Sequence, residues 1–316
     1  MKIENITVVG AGTMGHGIAQ LFAQAGFQVT LNDVSLEILE RAIPRIQNSL
    51  HRLVNHGIIS PEDADEIPDR ITITTDLDDA VLNSDYIIEA VVEDLEAKLI
   101  LLSKVDQKCP AQAIITSTTS SYCVRDMAGA LKHPERFLVT HFWNPPYLIP
   151  VVEVMPGDAT SPEVVDTTYK LLKAVGKIPA MVNKDVPGFV GNRLQHALRR
   201  EAISIVAQGI ASPEDVDLIA KLSFGLRLPV VGPLETVDLG GLDLTQAIQT
   251  YLLPDLDRST EPLQLIQDKV AKGELGAKSG KGFYDWSPGR FEEVIQRRDE
   301  TLIELVILLK KFGFIE

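Results

Sequence analysis

One histidine and one carboxylate in this chain occupy places where neither is expected without a reason. His141 ends the apolar run Phe137-Leu138-Val139-Thr140 and opens the proline-rich turn Asn144-Pro145-Pro146. Glu153 sits inside a second apolar run, Val151-Val152-Glu153-Val154-Met155. A carboxylate in such a strand is costly unless it is paired. Imidazole titrates near neutrality, so His141 is a candidate base for taking a proton from a hydroxyl group. A carboxylate held against its other nitrogen would fix the tautomer and strengthen the base. Spacing alone leaves open that Glu153 faces solvent on an edge strand. His16, His51, His56, His133 and His196 lie in helix-forming or turn sequence and read as surface or packing residues. The hydroxyl run Thr116-Ser117-Thr118-Thr119-Ser120-Ser121 can donate to a substrate oxygen or merely satisfy a turn.

The second chemical signal is Gly10-Ala11-Gly12-Thr13-Met14-Gly15, lying between the β-branched run Ile6 to Gly10 and the helix-forming Ile18 to Ala25. In that setting the first glycine makes the turn, the second admits a diphosphate to the backbone, and the third lets helix and strand pack closely. The diphosphate then lies on the positive end of the helix dipole. Asp33 follows Gly15 by 18 residues, after the strand-like Phe27 to Leu31, where a carboxylate can accept the ribose hydroxyls. Its charge repels a 2′-phosphate, and no Arg or Lys lies within three residues, so the cofactor reading is NAD rather than NADP. A base beside a hydroxyl-bearing carbon is the partner that hydride removal by such a cofactor requires.

These groups need a frame. Apolar runs of strand length recur at Ile71–Thr75, Tyr86–Val92, Ala113–Ser117 and Phe137–His141, separated by helix-length segments. That alternation predicts an α/β fold, a doubly wound Rossmann-type and mostly parallel sheet. Such sheets bind ligands beyond the carboxyl ends of their strands, where His141 would lie. After Val182 the pattern changes to helices over Asn192–Gln208, Pro213–Leu222, Leu242–Leu252 and Leu263–Lys272, with an amphipathic terminal helix over Leu302–Leu309. The 316 residues exceed one domain of roughly 150 residues, and divide into an NAD-binding domain over 1–185 and an all-helical substrate and dimerisation domain over 186–316.

Composition excludes several roles. Thirty Lys plus Arg against 44 Asp plus Glu give a formal charge of -14, which repels polyanions, so nucleic acid is not an expected partner. No apolar run reaches the roughly 18 residues of a membrane span. The amino terminus runs directly into an apolar strand without a secretory pattern. Cys109 and Cys123 are the only two cysteines and lie in no Cys-x-x-Cys or Cys/His cluster, so no metal is expected and a reducing cytoplasm fits.

Several long stretches resemble the L-3-hydroxyacyl-CoA dehydrogenase family, nearly end to end. Gly10 to Gln20 resembles its opening, Glu89-Ala90-Val91-Val92-Glu93 its fourth-strand motif, and His141-Phe142-Trp143-Asn144-Pro145 its catalytic histidine motif. Pro187-Gly188-Phe189-Val190-Gly191-Asn192-Arg193 is similar to the start of its helical domain, and Gly276 to Tyr284 to its closing signature. The resemblance implies that His141 is the general base, Glu153 its partner, and Ser120 and Asn192 donors to the reacting oxygen. Glu93, Lys98 and Asn144 resemble the family's nicotinamide-side contacts. The implied reaction oxidises an L-3-hydroxy compound to the 3-keto compound, with a homodimer formed through the helical domain.

Other stretches resemble the family's sugar-acid and carnitine branch, which includes L-gulonate 3-dehydrogenase, lambda-crystallin and a pyridine-carboxylate dehydrogenase. These are Asn144 to Pro150, the Gly225-Leu226-Arg227 to Gly232-Pro233-Leu234-Glu235 segment, the long tail beyond Tyr284, and Thr118, where acyl-CoA members usually carry asparagine. Charge points the same way. Coenzyme A brings phosphates that acyl-CoA members commonly meet with lysines on the helices after the second strand. Here Ser49 to Arg70 holds only Arg52 and Arg70 against five acidic residues, a formal -3 and a poor phosphate clamp. Arg227 could pair with a small substrate's carboxylate, or bridge to a helix end on the surface. The expected substrate therefore leans to a free 3-hydroxy acid, with a 3-hydroxyacyl-CoA as the alternative. A non-catalytic NAD-binding structural protein is the rival of another class. The 3-hydroxyisobutyrate and 6-phosphogluconate dehydrogenase group is disfavoured, because Phe189 to Arg200 lacks the lysine that group uses.

Overall fold

The computed structural model describes residues 2–315. Among them, one eight-stranded sheet has the order β3-β2-β1-β4-β5-β6-β7-β8. The strands are β1 Asn5–Val9, β2 Gln28–Asn32, β3 Ile71–Thr74, β4 Tyr86–Glu89, β5 Ile114–Ser117, β6 Phe137–Phe142, β7 Val151–Pro156 and β8 Ile178–Met181. Every neighbouring pair is parallel except β6 and β7, which run antiparallel. The expected doubly wound, mostly parallel sheet is therefore present. Its central strands are buried along their length because both faces are covered: Ile6, Val8 and Ile88 join one buried layer, and Val9 and Ile87 the other.

The covering helices are α1 Gly15–Gln24, α2 Leu36–Asn55, α3 Pro61–Glu66, α4 Leu77–Val81, α5 Leu95–Lys108, α6 Val124–Ala128 and α7 Pro162–Ala174. Most announce their starts with a side-chain cap. Ser35 accepts from Ile38 N at the head of α2, Asp94 from Ala97 N at α5, and Ser161 from Val164 N at α7. Helix α1 differs: Met14 stands at its N-cap and offers no side-chain acceptor to the first turn, where His16 N donates instead to Gly12 O.

The remaining helices are α8 Gly191–Ala207, α9 Pro213–Leu222, α10 Phe224–Arg227, α11 Pro233–Gly240, α12 Leu242–Leu252, α13 Gln264–Ala271 and α14 Arg290–Lys311. The chain clusters into two compact units. The first runs up to Asn192 and includes Asp299–Val306; the second holds Arg193–Arg298 and Ile307–Ile315. A single cut after residue 185 misses that exchange. The terminal helix is also far longer than the expected Leu302–Leu309. Its polar stretch from Gln296 to Thr301 hides the periodicity, because one of its charges, Asp299, is buried beside Arg52 instead of facing water. No helix among the described residues is long and apolar enough to cross a membrane.

Candidate active site

The antiparallel pairing of β6 and β7 sets His141 directly across from Glu153. Both side chains are buried, and His141 Nδ1 lies 2.7 Å from Glu153 Oε2. The alternative of a solvent-facing Glu153 is thereby removed. The other carboxylate oxygen, Oε1, accepts from the backbone N–H groups of Val190 and Gly191, each at 2.9 Å. Burial pushes the Glu153 carboxyl up, but the His141 hydrogen bond and these two backbone donors together hold it below the ordinary glutamate value. An ionised Glu153 only accepts, so Nδ1 carries the proton and Nε2 presents its lone pair. That lone pair faces Ser120 Oγ at 3.2 Å.

The turn that supplies those two donors is built for close approach. Phe189 has φ 52°, the left-handed region that a bulky residue adopts only when its surroundings impose it. Its ring centroid lies 5.3 Å from that of His141, and the Trp143 ring centroid lies 4.9 Å from the same imidazole. A Cβ on Gly191 would sit 2.2 Å from the Trp143 ring, so only glycine brings that N–H to Glu153.

Ser120 is held from two directions. The Asn192 amide donates to the Ser120 carbonyl at 2.9 Å, and Ser120 N donates to Glu93 Oε1 at 3.0 Å. Glu93 also accepts from the Thr119 hydroxyl and Ser121 N. Burial raises the Glu93 carboxyl, yet Thr119, Lys98 and Ser120 N outweigh it and hold the group below its usual value. Lys98 is fully buried and bridges Glu89 at 2.7 Å and Glu93 at 3.2 Å. Glu89 additionally accepts from Ser117 Oγ and Val91 N.

Residues 12–14, 90–93, Thr118 and Ser120 line a cleft of about 320 Å³ at the carboxyl ends of β1, β4 and β5. The glycine loop fits a dinucleotide. Gly10 has φ +104° and a Cβ there would meet Ala90 O at 2.5 Å; on Gly15 it would meet Gly10 O at 1.7 Å; over Gly12 the space is open. Asp33 accepts from Ala11 N through Oδ2 and from Ser35 N through Oδ1, which fixes the carboxylate at the end of β2 with lone pairs left for hydroxyls.

Three expected residues do not line this cleft, as His141, Glu153, Asn192 and Asp33 also do not. Lys98 does not line the cleft, since its ammonium is enclosed by two carboxylates and reaches the cleft wall only through Glu93. Asn144 is exposed on the turn after β6 and is likewise absent from the lining. Arg227 closes α10 in the second unit and is exposed. Of the two cations between Ser49 and Arg70, Arg52 reaches Tyr147 Oη and Asp299, and Arg70 reaches Ala23 O and Glu66. Reading the sequence assigned no individual part to Glu89, Trp143, Phe189 or Gly191, and placed Ser117 only within the hydroxyl run. A glutamate ending the apolar strand Tyr86–Glu89 was the one available signal, of the same kind that exposed Glu153. Thiol chemistry is disfavoured: burial pushes the Cys123 thiol up to about 11 and raises Cys109 as well.

Comparison with known proteins agrees with this geometry. The family model for the 3-hydroxyacyl-CoA dehydrogenase NAD binding domain matches residues 5–186, and that for the C-terminal domain of the same family matches 188–286. The chain belongs to the 3-hydroxyacyl-CoA dehydrogenase family and is an NAD-dependent dehydrogenase acting on a hydroxyl group. Among its relatives is a 5-formyl-3-hydroxy-2-methylpyridine 4-carboxylate 5-dehydrogenase of Mesorhizobium japonicum, 32% identical over 98% of this chain and 99% of that protein. A crystal structure of a dehydrogenase for that acid, described as an NAD+ dependent dismutase, matches with TM-score 0.90 and 32% identity over all of both chains. A probable 3-hydroxybutyryl-CoA dehydrogenase of Bacillus subtilis is 38% identical over 90% of this chain and 98% of that protein.

Proposed function

We propose that the protein oxidises a small free 3-hydroxycarboxylate, of the gulonate or carnitine type, to the 3-keto acid, with His141 as general base. Bound NAD supplies the acceptor for the hydride that leaves the hydroxyl-bearing carbon. His141 Nε2 takes the hydroxyl proton, and Glu153 compensates the imidazolium charge through Nδ1–H. Ser120 Oγ–H, aimed at the same nitrogen, turns to donate to the substrate oxygen, and Asn192 holds Ser120 in place while its second amide N–H remains for that oxygen. In the reverse direction the imidazolium returns the proton to the carbonyl oxygen. Glu93 and the Gly10–Gly15 loop serve the cofactor side, and Asp33 its ribose. Arg227 is our candidate for the substrate carboxylate.

The observation that carries the free-acid reading is the engagement of Arg52 and Arg70 with the chain's own acceptors, within a stretch already of net negative charge. A thioester's phosphates would find no available clamp there. The pyridine-carboxylate relative, named as a dehydrogenase of a free acid, supports the same reading. The test is NADH formation with L-gulonate, L-carnitine and free L-3-hydroxybutyrate beside L-3-hydroxybutyryl-CoA, repeated with His141→Ala. We expect turnover on a free acid that the variant loses; strong turnover on the thioester alone would sink the reading.

We also propose a homodimer through the helical unit. Helices α9 to α13 contain no buried residue, while Leu234, Leu239 and Tyr251 are each more exposed than three-quarters. Cytoplasmic location belongs to the same proposal, in keeping with two buried, unbridged cysteines.

A further inference from the structure

The matched C-terminal family region ends at residue 286, and the 3-hydroxybutyryl-CoA relative accounts for 98% of its own length with 90% of this chain. Helix α14, Arg290–Lys311, lies beyond that region, whereas the pyridine-carboxylate relative matches 98% of the chain. The segment Asp299–Val306 of α14 packs within the first unit. There Asp299 is buried with Oδ2 3.5 Å from an Arg52 terminal nitrogen, and Glu304 Oε1 lies 2.7 Å from His56 Nδ1. Arg52 and His56 are four residues apart near the end of α2, so they share one helix face. Ile303, between the two carboxylates in sequence, is fully buried and anchors the segment.

The chain thus sets two of its own carboxylates on two side chains that could otherwise meet an external anion. An arriving phosphate must displace them and then lie beside the released charges, which is repulsion built against one class of ligand. We propose that α14 is a specificity element: Asp299 and Glu304 withhold Arg52 and His56 from phosphate, and so bias the enzyme toward small free acids over coenzyme A thioesters. The inference rests on the free-acid reading, and a binding measurement without turnover separates the two.

The test is calorimetric titration of coenzyme A into the protein held saturated with NAD. Glu304→Lys, a change at an exposed position, and Asp299→Asn are compared with wild type. Freeing or adding one charge-assisted contact should tighten coenzyme A binding about tenfold, with NAD affinity and free-acid turnover unchanged. Unaltered coenzyme A affinity in Glu304→Lys overturns the proposal and leaves the free-acid reading standing, whether or not Asp299→Asn folds. Tight binding of coenzyme A by the wild-type protein overturns both.

Discussion

The two units of this chain use helices in opposite ways. Around the sheet, α1 buries eight of its ten residues and α2 packs Leu39, Ala42, Ile46, Leu50 and Leu53 inward. In the second unit, α9 to α13 bury none, although their sequences are rich in leucine. The first unit makes its own core, and side chains standing on that core are fixed to within a hydrogen bond. Helices with apolar sides and no interior of their own derive stability from a further surface. On the proposed function, chemistry belongs to the first arrangement and dimer assembly to the second.

Substitutions can break that division. The largest effect is expected from His141→Ala, which should cut kcat by about 10²–10⁴-fold, the usual share of a general base, while NAD titration stays as in wild type. Loss of cofactor binding instead would mean that the histidine supports the fold. Glu153→Gln should lower kcat by roughly 10–100-fold, the loss seen when a carboxylate that orients a metal-bound histidine is removed. It should also alter acid stability. The native Glu153 carboxyl titrates below its ordinary value, so its stabilisation is present above that value and fades as pH falls through the native one. Melting curves at successively lower pH should show wild type losing an increment that the variant lacks.

In the other unit, Leu239→Asp with Tyr251→Asp should convert a species of twice 34.7 kDa into one of 34.7 kDa by sedimentation, with NAD affinity retained. A monomeric wild-type protein at micromolar concentration would break the comparison outright. The mildest change is Asp33→Asn, expected to weaken NAD about tenfold by removing charge-assisted hydrogen bonds to the ribose, and readable by NADH fluorescence without affecting assembly.

Much of the first unit is legible because its signals are local. A β-branched run, three spaced glycines and a carboxylate 18 residues later specify a turn, a helix start and a strand end through backbone sterics alone. His141 and Glu153 announce themselves because a polar group in an apolar strand demands a partner. Lys98 and Asn144 are named by the resemblance alone, with no local signal of that kind. The resemblance supplies their positions in a motif but not their directions, and the interior pairing of Lys98 with Glu89 depends on where β4 and α5 meet. Asp299 is the converse case, a charge that looks solvated until Arg52 is brought to it from 247 residues earlier.

What the order of residues determined by itself is therefore the alternating fold, the dinucleotide loop and the candidate base with its candidate partner, each carried by contacts between near neighbours or by the cost of burying charge. Tertiary structure alone decided the register that sets His141 across from Glu153, the turn whose N–H groups complete that carboxylate, and the docking of α14 on α2. Those are long-range pairings between segments, and no local propensity encodes which distant surface a side chain will meet.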